Sequence, residues 1–479
     1  MRRTHPSRNA RLTEILDELG WSVARLAREI NREIGQAYVS RNTASEWLSI
    51  SRIPRQPLPT VIAHVLSQAC RREIAVPQLW SGISVASEWV SADAGTYVPW
   101  NLWGTASLAH DWFINGENTT DADRRSFMAM SGTALTLPVW GYVEKMSLPP
   151  KEDDLASLCV KRISGKPKLP SSIVGLLHAT VAYLRRMDDV EGGGSHVLSI
   201  VHGELRKVAG YLDRGSFERP QIASSVLGVF GQLAQLAGWV AYDAEKHGLA
   251  QRYFRTALQA SHACDDRELG AHVLGWMACH AAYRGRVTEA VEIAGAAVTA
   301  AAIGHPVVQS LAHVRLAYAY AAAANLSGFR GAIHRAREQW ARAPESEPPS
   351  FLYWYNADYI DILCGEGLQM LALRSARNYV SLLREADLLL LDKIDRHRET
   401  MPRDSLFHSV WQARGYVRLG DAEAACAVTR KVLHSMHGVS SPRIISTLHR
   451  LDRDLAARRI LNDIREVKEL RREVQLVGT

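Results

Sequence analysis

The chain has 479 residues, 47% of them apolar and 22% charged; that length exceeds a single hydrophobic core, and the composition excludes a disordered chain. The formal net charge is +7, and residues 1–80 hold +5 of it, twelve Arg and no Lys against seven acids. No apolar run approaches the ~18 residues that cross a bilayer, Met1-Arg2-Arg3 leads into Thr4-His5-Pro6, and the six cysteines form no CxxC pair. These features predict a reduced, cytoplasmic protein without a secretory signal, a disulfide framework or a cysteine-built zinc site.

Residues 1–11 form a polar start carrying Arg2, Arg3, Arg8 and Arg11. A basic arm of this kind lies along a phosphate backbone or enters a minor groove, and the concentrated charge predicts a polyanion partner. Residues 12–69 then read as four short helices. Leu12, Ile15, Leu16 and Leu19 face inward from the first, and Gly20 ends it. Ser22 caps the second, whose inward face is Leu26, Ala27 and Ile30. The third starts at the N-cap Ser40 and is stopped by Pro54, Pro57 and Pro59; the fourth, 60–71, buries Val61, Ile62, Val65, Leu66 and Ala69.

In the third helix, Val39, Ala44, Trp47 and Leu48 pack inward, which turns Arg41, Asn42, Ser45 and Glu46 outward near the helix start. These side-chain types read base edges in a major groove: Arg pairs with guanine, Asn with adenine, and Glu accepts from cytosine. Ser40, Thr43, Arg52 and Arg55 flank them as phosphate contacts, joined by Arg2, Arg3, Arg8 and Arg11 of the arm. Residues 81–150 hold a cluster of tryptophans, six of the chain's thirteen falling between Trp80 and Trp140, which predicts a packed connector, because flexible linkers are poor in Trp.

From Ser171 onward Ala and Leu recur at helical spacing. Trp239, Trp276 and Trp411 each precede a glycine by nine residues (Gly248, Gly285, Gly420), and a new helix follows each glycine, over 249–260, 286–297 and 421–433. Ala290, Ala294 and Ala297 let two helices approach closely, and the glycine closes the turn between them. A hairpin repeat slightly longer than ~34 residues predicts a tetratricopeptide-like array, with 316–339 and 355–379 as degenerate members and 451–474 as one amphipathic capping helix. No GxxxxGK[ST], HExxH or GxSxG occurs, and Cys264, His272, Cys279 and His280 lack a zinc spacing, so they read as core cysteines and surface histidines. The expectation is a non-enzyme without metal or cofactor.

Residues 20–27, Gly-Trp-Ser-Val-Ala-Arg-Leu-Ala, followed by 39–47, Val-Ser-Arg-Asn-Thr-Ala-Ser-Glu-Trp, resemble the helix-turn-helix of the XRE (Cro/repressor-like) family. The resemblance implies that Arg41, Asn42, Ser45 and Glu46 read bases and that Trp47 is core. Val23 stands where the family usually has Gln, and the turn is lengthened by residues 32–38. The strings Ala237-Gly238-Trp239-Val240-Ala241-Tyr242-Asp243 and Gly248-Leu249-Ala250-Gln251-Arg252-Tyr253-Phe254 are similar to those of actinomycete regulators of the NsdA type, which join such a domain to a tetratricopeptide-like region and repress antibiotic production and development.

The resulting expectation is an all-α chain: a helix-turn-helix DNA-binding domain over 1–80, a connector over 81–170, and a tetratricopeptide-like right-handed α-solenoid over 171–479. Such a regulator would bind double-stranded DNA at an inverted repeat as a homodimer, and its solenoid groove would hold a peptide, protein or small-molecule signal. The alternative is an interaction scaffold whose helix-turn-helix no longer binds DNA.

Overall fold

Just ahead of the first described helix, a buried asparagine, Asn9, ties three segments together. The backbone N–H of Leu12 donates to Asn9 Oδ1 at 2.9 Å, Asn9 Nδ2 donates to the Leu79 carbonyl at 2.9 Å, and Asn9 N donates to the Leu48 carbonyl at 2.9 Å. The computed structural model that shows this describes residues 9–34, 39–49, 102–115, 133–146, 168–215, 217–343, 347–375, 377–390, 392–462 and 464–477, with scattered positions between 54 and 100. Among the described residues every regular element is a helix, and the one β-type pairing is an isolated bridge between Leu169 and Phe217. The all-α expectation is met. Contacts divide the chain into Met1–Asp111 and Trp112–Thr479, a boundary that falls within the stretch 81–170.

The first unit contains α1 (Ala10–Glu18), α2 (Val23–Ile34) and α3 (Arg41–Ser49). Leu12, Ile15, Leu16, Leu26, Ala27, Ile30, Val39, Ala44, Trp47 and Leu48 share one core with Ile62, Val65 and Leu66. Gly20 takes a left-handed φ of +61° at the end of α1, where a side chain would be strained. Ser22 accepts from the N–H of Arg25 at 3.2 Å and starts α2. The expected turn over 32–38 is shorter than the sequence suggested, because α2 runs on through Arg32, Glu33 and Ile34.

The longer helices that follow among the described residues are α4 (Leu102–Asn115), α5 (Thr133–Lys145), α6 (Ser172–Glu191), α7 (Ser195–Arg214), α8 (Pro220–Asp243), α9 (His247–Ala263), α10 (Arg267–Tyr283), α11 (Val287–Ala301), α12 (Pro306–Ala322), α13 (Leu326–Ala341), α14 (Ala357–Arg374), α15 (Tyr379–Leu390), α16 (Pro402–Leu419), α17 (Ala422–Ser435), α18 (Pro442–Ala457) and α19 (Arg465–Gln475). They pack as hairpins: α8 with α9, α10 with α11, α12 with α13, α14 with α15, and α16 with α17. The first helix of each hairpin touches the first helix of the next, and α18, which follows α16, returns to α8. These six inner helices thus close a circuit of packing.

One turn geometry recurs. An N–H five residues on reaches back to a helix carbonyl in the α8–α9 (Lys246 to Ala241, 2.8 Å), α9–α10 (Asp266 to Ser261, 2.8 Å), α10–α11 (Arg286 to Ala281, 2.9 Å), α12–α13 (Asn325 to Tyr320, 2.9 Å) and α16–α17 (Asp421 to Tyr416, 3.0 Å) turns. Each needs one left-handed residue. Gly285 and Gly420 supply it as expected, at φ +74° and +87°. Gly248 does not: it lies inside α9, and Glu245 takes φ +57° instead.

Other expectations also change. Residues 355–379 are largely one inner helix, α14, and 451–474 is not one helix but the end of α18, the short helix Arg459–Asn462 and α19. The apolar helix α8 is long and apolar enough to cross a membrane, which the apolar runs did not suggest, yet 83% of its most apolar window is buried by other helices. Of the connector-region tryptophans, Trp112 is buried, stacking on Tyr253 at 4.6 Å and donating to Thr256 Oγ1 at 2.9 Å, whereas Trp140 is exposed and donates to Glu292 at 2.7 Å.

The circuit is sealed at Asp243, at the end of α8. Its carboxylate accepts from Gly193 N at 3.0 Å, Ser441 Oγ at 3.0 Å and Arg443 Nε at 2.9 Å, so the α6–α7 turn, α8 and α18 meet at one buried group. Gly193 is required there, because a Cβ on it would lie 2.5 Å from Asp243 Cβ.

Candidate functional site

Helix α3 owes its surface to its capping. Ser40 Oγ accepts from Thr43 N at 3.1 Å, and the Ser40 and Thr43 hydroxyls bond each other at 2.8 Å. One hydroxyl hydrogen is engaged within that pair, which leaves the other for an outside acceptor. The first helical hydrogen bond runs from Ala44 N to the Ser40 carbonyl at 3.1 Å. The N–H groups of Arg41 and Asn42 therefore lie ahead of it, at the positive end of the helix.

Ala44, Trp47 and Leu48 are buried, while Arg41, Asn42, Thr43 and Ser45 are exposed. Glu46 is half-buried, so it does not turn outward as far as its neighbours. The sequence did not reveal what aims this helix. Asn31 on α2 clamps the residue that leads into it: its Nδ2 donates to the Val39 carbonyl at 2.9 Å, and its Oδ1 accepts from Val39 N at 2.7 Å. The two bonds span eight residues and hold the start of α3 against α2.

Of the expected phosphate contacts, Ser40 and Thr43 sit at this helix start. Arg11 belongs to the first turn of α1 and pairs with Glu14 at 2.9 Å, so it is not part of an extended arm. Arg2, Arg3, Arg8, Arg52 and Arg55 lie outside the described residues.

A second set of polar groups, unmarked by any motif, lines a partly open cavity of about 90 Å³ between the inner helices, α6 and the segment 351–354. Four arginines and four carboxylates reach it: Arg185, Arg315, Arg403 and Arg443 against Asp188, Asp189, Glu366 and Asp404. Arg403 is the hub. It binds Asp188 Oδ2 at 2.5 Å and Asp404 Oδ1 at 3.0 Å, and lies 3.7 Å from Asp189. Trp239 donates to Asp188 at 2.8 Å, Tyr353 donates to Asp189, and Tyr359 donates to Asp404 at 3.0 Å. Arg443 lies 3.9 Å over the Phe407 ring.

Burial pushes the Asp189 carboxyl up to about 7 against the pull of Arg403. Burial also acts to raise Asp404, but Arg403, His408 and Arg443 outweigh it and hold that group at about 2. Enclosed charge on this scale is costly unless paired.

Cys264, His272, Cys279 and His280 form no metal cluster among the described residues. His272 and His280 are buried rather than on the surface. His272 accepts from Trp276 Nε1 at 3.1 Å, and Cys279 faces Arg315 at 3.4 Å.

Among known families, the SP15 N-terminal domain matches residues 12–79, the span that holds most of α1 and all of α2 and α3. No curated protein and no solved structure matches the chain.

Proposed function

We propose that the protein is a sequence-specific DNA-binding transcriptional regulator, a cytoplasmic repressor of the kind its sequence resembles. In this reading it works as a homodimer on an inverted repeat, and its helical array forms a tetratricopeptide-like solenoid that senses a signal. The observation that carries the proposal is the two-sided character of α3: Trp47 and Leu48 close the core, and Arg41, Asn42 and Ser45 stand exposed at its start. An exposed Arg–Asn pair ahead of the first helical bond offers guanine- and adenine-reading groups together with free backbone donors for phosphate. The +5 charge of residues 1–80 adds the electrostatic attraction that brings such a domain to DNA. Helix-turn-helix dimers read half-sites about one helical turn apart. A signal in the array would alter DNA binding only by favouring one arrangement of the dimer over another.

The test is retention of genomic fragments by the full chain across a salt series. A regulator holds a few fragments far above the background, and Arg41→Ala with Asn42→Ala lowers that preference by ~1–3 kcal/mol per lost base contact. Weak retention of all fragments alike, falling with salt, would instead support the interaction-scaffold reading.

A further inference from the structure

The buried charges of the array fall into two groups. Arg403 and Arg443 are matched by carboxylates at 2.5 to 3.0 Å. Arg185 and Arg315 are not. Arg185 donates to Gln232 Oε1 at 3.2 Å, and its buried Nη2 has no partner. Arg315 stacks 3.9 Å from the Trp276 ring, with Cys279 Sγ as its hydrogen-bond acceptor among the described residues. Both are more than nine-tenths buried. His272, beside them, is held neutral by burial and then by Arg315 and Arg185, so it adds no further positive charge and offers neither arginine a counter-ion. Burial lowers Arg185 to about 10, which still leaves it cationic at neutral pH.

The same cavity presents unpartnered acceptors. Asp188 Oδ1 and Glu366 Oε1 are buried, line it and accept no hydrogen bond. Folded proteins rarely leave such groups unmatched. The residues that carry these unpartnered donors and acceptors line one space together with Trp276, Phe351 and Trp354. Arg443 is already matched by Asp243 and Asp189 is part-protonated near neutral pH, so the four arginines meet a nearly equal number of carboxylates, and a dipolar ligand disturbs that less than one with a net charge. The volume of about 90 Å³ accommodates about six to nine water-sized groups.

We infer that this cavity binds a small amino carboxylate with an apolar side chain: its carboxylate on Arg185 and Arg315, its ammonium on Asp188 and Glu366, and its side chain against the aromatic rings. The inference rests on the array being the sensing half of the proposed regulator. It supplies the class of signal.

The experiment measures binding to the full chain by calorimetry and by the shift in thermal midpoint. The probes are L-leucine and L-phenylalanine, each beside its counterpart lacking the amine (4-methylpentanoate, 3-phenylpropionate) or the carboxylate (3-methylbutylamine, 2-phenylethylamine). At least one amino acid should bind saturably and raise the midpoint, and its two counterparts should bind at least tenfold more weakly. Arg185→Met should abolish that binding while the ligand-free midpoint holds or rises, because an unmatched buried cation is removed. Glu366→Gln provides a second variant: it should narrow the preference for the amino acid over the amine-free acid. Equal binding of the amine-free acid, or no binding by any probe up to millimolar concentration, would overturn the inference. A chain that holds its DNA sites but none of the probes loses this inference alone; one that binds a probe but no DNA site loses the regulator reading.

Discussion

Two regions of this molecule handle polar side chains in opposite ways. On α3 the polar residues are turned to solvent and the helix is anchored by Ala44, Trp47 and Leu48 beneath them. In the array, charged residues are enclosed, and the aromatic rings that elsewhere would form an apolar core are shared with guanidinium groups, as where Arg443 covers Phe407 and Arg315 covers Trp276. An exposed polar face costs little to maintain and is free to meet a large polyanion. An enclosed one must be matched group by group, and what is left unmatched marks where a small ligand fits.

The sharpest way to break this contrast is to unbalance the enclosed set. Arg403→Met strands Asp188, Asp189 and Asp404 together. It should cost about 3–5 kcal/mol, read from denaturant unfolding of the full chain. The same loss from substituting an exposed arginine of α3 would deny the distinction.

The next effect is a dependence on pH. Asp189 holds its proton up to about 7 in the folded state, well above its ordinary value near 3.8. Folding is therefore favoured by that proton at low pH, and the advantage is lost as pH rises through the window from about 4 to about 7. His247 and His272, whose pKa values burial lowers, act in the opposite sense, so the comparison must be with a variant. Relative to the natural chain, Asp189→Asn should gain about 1.4 kcal/mol of stability for each pH unit across that window and nothing further above it. A difference that does not change with pH would contradict the assignment.

A smaller effect belongs to the first unit. Asn31→Ala removes both bonds to Val39 and should cost ~1–3 kcal/mol. DNA affinity should fall with it, since the start of α3 is no longer held. Smallest of all, Ser40→Ala removes the cap of α3, for ~1 kcal/mol.

The first unit was legible because its information is local. The inward residues of α1 to α3 recur at three and four, and Gly20, Ser22 and Ser40 sit at the helix ends they control. The helical hairpins were legible for the same reason where a glycine made the turn, at Gly285 and Gly420. The spacing misled at Gly248, because Glu245 adopts the left-handed conformation three residues earlier. The Asn31 clamp was hidden because an asparagine in a helix carries no mark of the backbone it reaches.

The cavity was hidden for a stronger reason. Asp188 and Arg403 are 215 residues apart, and Asp243 and Arg443 are 200 apart. In the sequence each reads as one more charge on a solvated helix face. Only closure of the inner helices, at Gly193 and Asp243, places them together.

The most direct test of the central claim compares the full chain with its Arg41→Ala, Asn42→Ala variant on a selected binding site and on a shuffled DNA of the same length, at one fixed salt concentration. The natural chain should prefer the selected site by at least ~10³-fold, and the variant should lose most of that preference while its affinity for the shuffled DNA changes little. Equal affinity of the natural chain for both DNAs, or a preference that survives both substitutions, would contradict the assignment of α3 as the helix that reads bases.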